Sequence, residues 1–471
     1  MDIFRCGIAS AAGRFAVVEG NRHFAGKGQG VMSVELITVL MLASLIIVIM
    51  MGFPIGFSLA GIATIFGMIF VGPRIANTFM LRTHVVLSDY TLIAIPLFVF
   101  MGIVIEKSGL AGRLYDAIYV LTGKLKGGLA IATVLTCTIF AAATGVVGAT
   151  VVTMGIISMP AMMKYKYDKP MAAGAVCAGG ALGILIPPSI LILVYAPVAN
   201  VSVGALLIGA FVPGVILALL YVSYIGIRCF ITPSMGPSAS EEGIHYSVLQ
   251  KVKMFCISVL PVLTLILAVL GTIFFGLAAP TEAAAIGALA AIFLALGYRK
   301  LTVAILMEAA IRTAKTSAMV YMVVIGASFF TSVFVRLGCG RVIESSIMGL
   351  PFGPWGILIV MWLIIIIMGC FLDWIGIIMI VVPLFTPVAV ALGFDPVWFS
   401  LMNIIVLQTS FLTPPFALTI FYLKGIAPPE VTLGDIYRGV IPYLLLMLVA
   451  LLIFSLFPDL LLFMPRAAGL L

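Results

Sequence analysis

Apolar residues run along this chain in long blocks, separated by short stretches where proline, glycine and charged residues gather. A helix needs about 20 apolar residues to cross a bilayer. The blocks therefore predict ten crossings, at roughly 34 to 51, 55 to 72, 90 to 106, 170 to 200, 203 to 229, 254 to 276, 280 to 298, 316 to 335, 397 to 423 and 433 to 457. Two further apolar stretches, 127 to 163 and 355 to 392, are each split by a weak point, Ala143-Thr144-Gly145-Val146-Val147-Gly148 in the first and Gly369-Cys370-Phe371-Leu372-Asp373 in the second. Their arms, about 15 to 19 residues each, are short for a full crossing and suit re-entrant helical hairpins. Ordinary paired helices with tight turns are the other reading.

Charge chooses between the two. Lys124 and Lys126 precede the first hairpin and Lys164, Lys166 and Lys169 follow it, so both ends read as cytoplasmic under the positive-inside rule. No Lys or Arg occurs from Val342 to Leu423, so both ends of the second hairpin read as external. Five crossings lie between them, and an odd number inverts the second half. Segments 110 to 122 and 301 to 315 mix apolar and charged residues at helical spacing and are expected as amphipathic arms along the inner surface.

A repeat is legible residue by residue. Asp168 and Asp395, Pro187 and Pro414, Pro188 and Pro415, and Tyr195 and Tyr422 share an offset of 227. Pro54 and Pro280, with Gly61 and Gly287, share 226, while Gly204 and Gly434, with Gly209 and Gly439, share 230. The proline pairs fall inside apolar segments. Proline removes a backbone donor and clashes one turn back, so each pair breaks a helix where lipid offers no water to repair it. The fold expected is an all-α polytopic membrane protein, an inverted-topology repeat of about ten crossing helices and two re-entrant hairpins, with the architecture of an elevator-type ion transporter. The organisation expected is a disordered extension at 1–31, with Met32 a possible start, a first repeat at 32–230, a cytoplasmic connection at 231–253, a second repeat at 254–458 and a tail at 459–471.

Composition narrows the function. The 471 residues are 63% hydrophobic and 9% charged, and the net charge of +8 sits in short loops rather than in a stripe, which argues for topology and against nucleic-acid binding. Seven scattered cysteines without a CxxC pair read as small core residues, with neither a disulfide frame nor a transition-metal site. The three histidines, His23, His84 and His245, form no HExxH motif, and neither a GxSxG elbow nor a Walker-type phosphate loop is present. An ion gradient is left as the energy source, with no nucleotide.

In an inverted repeat, broken helices and hairpin tips meet near the bilayer midplane, where freed carbonyls coordinate cations and helix N-termini favour anions. Sodium needs only oxygen ligands, and the tips supply glycine, serine, threonine and proline-freed carbonyls. A first sodium site is expected from Thr144, Gly145 and Val147 with Gly183, Ile186 and Pro187, and a second from Gly369, Ser410 and Thr413. Thr144, Val146, Ser189 and Thr413 are the substrate-region candidates. Simple kinking for helix packing is the bland alternative. Asp373, at the second tip, would repel an anion and is expected to cap a half-helix; burying it costs on the order of 2.5 to 3.5 kcal/mol unless it is paired or hydrated. Glu282, in the first turn of its helix, is expected to be structural.

The runs Ala94-Ile95-Pro96-Leu97-Phe98 with Met101-Gly102, Leu182 to Ser189, Pro280 to Ala284, Gly369 to Asp373, and Thr413-Pro414-Pro415 resemble the large membrane subunit of tripartite ATP-independent periplasmic (TRAP) transporters, over residues 32 to 458. The resemblance implies a sodium-coupled elevator in the bacterial inner membrane. It also implies a separate four-helix membrane subunit and a soluble periplasmic protein that delivers an organic acid. Many family members carry Ser-Gly-Ser-Ser where this chain has Thr144-Gly145-Val146-Val147, so a side-chain ligand is lost at Val147. A stand-alone ion-coupled carboxylate or anion carrier is the rival reading, and an intramembrane hydrolase a remote one.

Overall fold

The computed structural model describes residues 32–238, 247–370, 372–414 and 417–471. The extension at 1–31 and part of the 231–253 connection lie outside the described residues, as do Phe371, Pro415 and Phe416. Among the described residues every regular element is helical.

The first half runs α1 (Val34–Met50), α2 (Ile55–Phe70), α3 (Ile75–Leu87), α4 (Ala94–Lys107) and α5 (Leu110–Thr122). It continues with a hairpin of α6 (Gly128–Thr144) and α7 (Val147–Lys164), a broken helix of α8 (Lys169–Ala181) and α9 (Ile190–Ala199), and α10 (Val203–Ile231). The second half runs α11 (Val248–Ser258), α12 (Leu260–Phe274), α13 (Pro280–Gly297), α14 (Val303–Arg336) and α15 (Cys339–Met348). Its hairpin is α16 (Pro354–Gly369) with α17 (Trp374–Ala391), its broken helix α18 (Pro396–Ser410) with α19 (Leu418–Lys424), and α20 (Leu433–Leu456) and α21 (Asp459–Ala467) close the chain.

The repeat is visible in how helices begin. Asp168 caps α8 by accepting from Met171 N at 3.0 Å, and its equivalent Asp395 caps α18 by accepting from Val397 N and Trp398 N at 2.9 Å each. A proline follows in each first turn, where its missing N–H costs nothing. Packing obeys the same symmetry: α9 lies on α17 of the other hairpin, and α19 lies on α7. Gly174 and Gly439 let α8 and α20 touch backbone to backbone, since a Cβ on Gly439 would come within 2.0 Å of Pro170 O. Small residues at such crossings give the close van der Waals packing that holds helices together in lipid.

Helices α2, α4, α12, α13 and α14 pack on one another as a frame, and α6 to α10 with α16 to α21 form the hairpin-bearing part. The frame meets that part where α4 touches α6 and where α14 touches α17, and α5 also packs on α6. At the inner ends of α4 and α14, Glu308 pairs with Lys107 Nζ and with Arg312 Nη2, each at 2.8 Å.

Several elements differ from expectation. The arm at 301–315 and the crossing at 316–335 are one continuous helix, α14, because Lys315-Thr316-Ser317 contains neither proline nor glycine to end it. Polar residues hide short helices that the apolar blocks did not predict, such as α3 with Asn77, Arg82 and His84, and α15 with Arg341 and Glu344. The tail carries α21, which packs on α10. Cys137, Cys177, Cys229 and Cys339 are buried, but Cys256 is exposed on α11 and is no core residue.

Candidate functional site

The chemistry of each break follows from its prolines. In a continuous helix, residue 187 would donate to Gly183 O and residue 188 to Ile184 O; proline at both positions cancels both bonds. The chain repairs one of them: Ser189 Oγ donates to Ile184 O at 2.6 Å. At the second break, Pro414 and Pro415 cancel the donors to Ser410 O and Phe411 O. Thr419 Oγ1 donates to Phe411 O at 2.7 Å, with Thr419 N on the same carbonyl at 3.3 Å. Ile184 and Phe411 are equivalent at the 227-residue offset, and so are Gly183 and Ser410. Each break therefore satisfies one carbonyl with a hydroxyl and leaves the equivalent neighbour without its helical donor.

Each hairpin tip packs against the break of its own half. Gly145 ends α6 in the left-handed region at φ 64°, and a Cβ there would stand 2.6 Å from Pro188 O. Gly183 lies behind the same tip, facing Ala141 and Val146. At the second tip a Cβ on Gly369 would stand 2.2 Å from Ser410 Cβ. Of the expected groupings, the structure brings Gly145 to the first break beside Pro188, Gly183 to the first tip and Gly369 to Ser410, whereas Thr144 O faces Gly102 of α4 and Ile186 packs on Gly214 of α10. Thr413 is not brought to that contact; its Oγ1 donates to Thr409 O, one turn back on its own segment, at 2.8 Å.

The side-chain hydroxyls are largely committed. Thr144 Oγ1 donates to Phe140 O at 3.0 Å and lies 3.3 Å from Thr150 Oγ1; Ser410 Oγ donates to Leu407 O at 2.6 Å. Val146 offers no free carbonyl, because Thr150 N and Thr150 Oγ1 both donate to it. Val147 is buried at the first turn of α7. Cation coordination at these tips would thus fall mainly to main-chain oxygens, which suits sodium better than a softer metal. No cluster of three His, Cys, Asp or Glu that could hold a metal occurs among the described residues.

Asp373 stands at the N-cap position of α17 and is half-buried. It lines a cavity of about 350 Å³ with Gly369, Trp374, Ser410 and Phe411, walled by Gly52 and Phe53 from the corner between α1 and α2. Thr413 is not among the residues lining it. Glu282 is far simpler: its Oε2 accepts from Ala279 N at 2.8 Å and closes the first turn of α13.

Two features escaped the sequence reading. Gln408 is fully buried on α18, and neither of its amide atoms has a hydrogen-bond partner among the described residues. A polar residue inside an apolar run was the available signal. Asn403, on the same helix, takes Trp362 Nε1 of α16 at 3.1 Å on its Oδ1 and donates through Nδ2 to Tyr195 OH of α9 at 3.1 Å. That chain locks the second hairpin to both broken helices.

Two interrupted helices, each closed against a re-entrant tip inside an all-helical membrane protein, define a transporter rather than an enzyme. The chain belongs to the family described as tripartite ATP-independent periplasmic transporter, DctM component, which matches residues 42–460. It is 34% identical over 386 residues to the C4-dicarboxylate TRAP transporter large permease protein DctM of Pseudomonas aeruginosa, covering 81% of this chain and 88% of that one. It is 28% identical over 421 residues to the sialic acid TRAP transporter large permease protein SiaM of Vibrio cholerae, covering 88% and 95%. Among solved structures, the YdaH transporter of Alcanivorax borkumensis shares the fold, with a TM-score of 0.59 at 14% identity over 90% of this chain and 99% of that one. The protein is accordingly a TRAP large permease, a multi-pass protein of the inner membrane.

Proposed function

We propose that this permease imports a small organic acid coupled to sodium, with the hairpin-bearing part moving as an elevator against the frame of α2, α4, α12, α13 and α14. The observation that carries the reading is the equivalent pair of residues whose carbonyls the prolines free, Gly183 and Ser410, each packed against a hairpin tip. Repeat symmetry supports two sodium sites, the first built on Thr144, Gly145, Val147, Gly183, Ile186 and Pro187 and the second on Gly369, Ser410 and Thr413. The 350 Å³ cavity beside Gly369 and Ser410 lies within the range of small-molecule pockets, but the Asp373 carboxylate in its lining favours a cation there over the acid itself. By the same reading a separate four-helix membrane subunit braces the frame, and a soluble periplasmic protein delivers the acid.

The test is uptake of labelled C4-dicarboxylate and sialic acid into proteoliposomes at fixed membrane potential, with sodium, potassium or choline outside. Uptake that needs sodium, the small subunit and the binding protein supports the reading. Undiminished uptake in choline removes sodium from it, and uptake by this chain alone favours a stand-alone carrier.

A further inference from the structure

A second cavity, of about 510 Å³, lies between the frame and the hairpin-bearing part. Its walls come from α3, the turn into α4, α14, α9 and α17. On their helices Val194 is the lining residue nearest the first break and Met379 the one nearest the second hairpin tip, each five residues past Ser189 or Trp374, which is about 8 Å of helix. The opposite end carries Arg82, Asp89 and Asn200, at the outer ends of α3 and α9 on the topology set by the basic loops. The cavity thus runs from the outer face toward both candidate sites.

Its polar groups are arranged for an anion. Arg82 is the basic residue that lines it, and its Nε donates to Ser332 Oγ at 3.2 Å, which fixes the guanidinium and leaves the two terminal amino groups uncommitted. Arg82 takes part in no ion pair among the described residues. Asp89, the acidic residue of the lining, stands beyond ion-pair distance from it. One Asp89 oxygen is held by Thr91 N and Thr91 Oγ1, at 2.9 and 2.5 Å. Ser328, four residues from Ser332 on the same face of α14, adds a second hydroxyl to the lining, while the Thr331 hydroxyl donates to Met379 O at 3.4 Å. A planar pair of free amino groups beside hydroxyls matches a carboxylate bidentately.

We propose that this cavity is an outer capture site for the carboxylate of the transported acid, with Arg82 as its anion-binding residue, holding the substrate before it reaches the hairpin tips. The inference rests on the organic-acid import proposed above. A carboxylate and a lipid phosphate share the chemistry Arg82 recognises, and the experiment separates them.

Ser328→Cys in the full chain, in proteoliposomes, is modified from the outer face with an anionic sulfonatoethyl and a cationic trimethylammonioethyl methanethiosulfonate at low salt. The same chain without Ser328→Cys gives the background. The ratio of anionic to cationic rates should fall about fivefold or more with Arg82→Gln, the effect of one nearby charge at intermediate dielectric, and be largely kept by Arg82→Lys. The fall should appear in phosphatidylcholine vesicles with and without phosphatidylglycerol. A ratio unchanged by Arg82→Gln, or a cysteine that does not react from outside, overturns the proposal. A fall seen only without phosphatidylglycerol also overturns it, because a lipid phosphate then occupies Arg82. In uptake, Arg82→Gln should raise KM several-fold with little change in maximal rate; equal KM values overturn the capture role. Thiol rates need no substrate, so a permease that imports no acid refutes the proposed function without deciding the field of this cavity.

Discussion

Gly369→Ala is the sharpest single perturbation of the second tip. The new Cβ would stand 2.2 Å from Ser410 Cβ, whereas carbon atoms pack favourably at about 3.5 to 4.0 Å. The tip must therefore move away from the break by more than 1 Å, roughly, and overpacking of this kind typically costs about 1–3 kcal/mol. If the displaced contact holds an ion, the same energy appears as a rise of about 5- to 150-fold in the sodium concentration for half-maximal uptake. The first half shows the cure. There Gly183, the equivalent of Ser410, faces Ala141 of the hairpin arm, so the small residue sits on the broken helix. Gly369→Ala with Ser410→Gly copies that arrangement, and since Ser410 Oγ is spent on Leu407 O, the double variant should recover most of the lost sodium affinity. Sodium titrations of uptake, beside a melting curve read with a thiol-reactive dye that reports the buried cysteines, measure both effects. A single variant with wild-type affinity, or a double variant no better than the single, refutes the packing argument.

Ser189→Ala strips Ile184 O of its buried donor and should destabilise the protein by about 1–3 kcal/mol. Thr419→Val should cost less, because Thr419 N still donates to Phe411 O; the reverse order in the same melting assay would contradict the account of the breaks. Thr413→Ala should raise the sodium requirement of uptake at normal expression, and an unchanged requirement would remove Thr413 from the second site. Lys166→Cys and Ala391→Cys, at the open ends of the two hairpins, should react with an impermeant thiol reagent only from the cytoplasmic and the outer side respectively. Labelling of both from one side would overturn the inverted topology.

The sequence by itself determined the class, the repeat and the breaks, because lipid makes these local decisions. Unsatisfied backbone is costly there, so a proline pair must break a helix wherever it falls, and apolar length and flanking lysines decide which segments cross and which return. Hence both hairpins and both broken helices begin and end within a residue or two of their predicted bounds. Tertiary structure alone decided how each break is repaired and what faces it. Ser189 and Thr419 lie five and eight residues from the carbonyls they satisfy, at spacings no helical period predicts. Gly369 meets Ser410, and Asn403 meets Trp362 and Tyr195, across 41 to 208 residues of chain. Arg82, in the sequence one basic residue in a polar stretch between two apolar blocks, lines a cavity only because α14, α9 and α17 close around it. Such pairings depend on which helix faces which, and in a chain that is apolar on nearly every face, hydrophobic pattern carries no record of that choice.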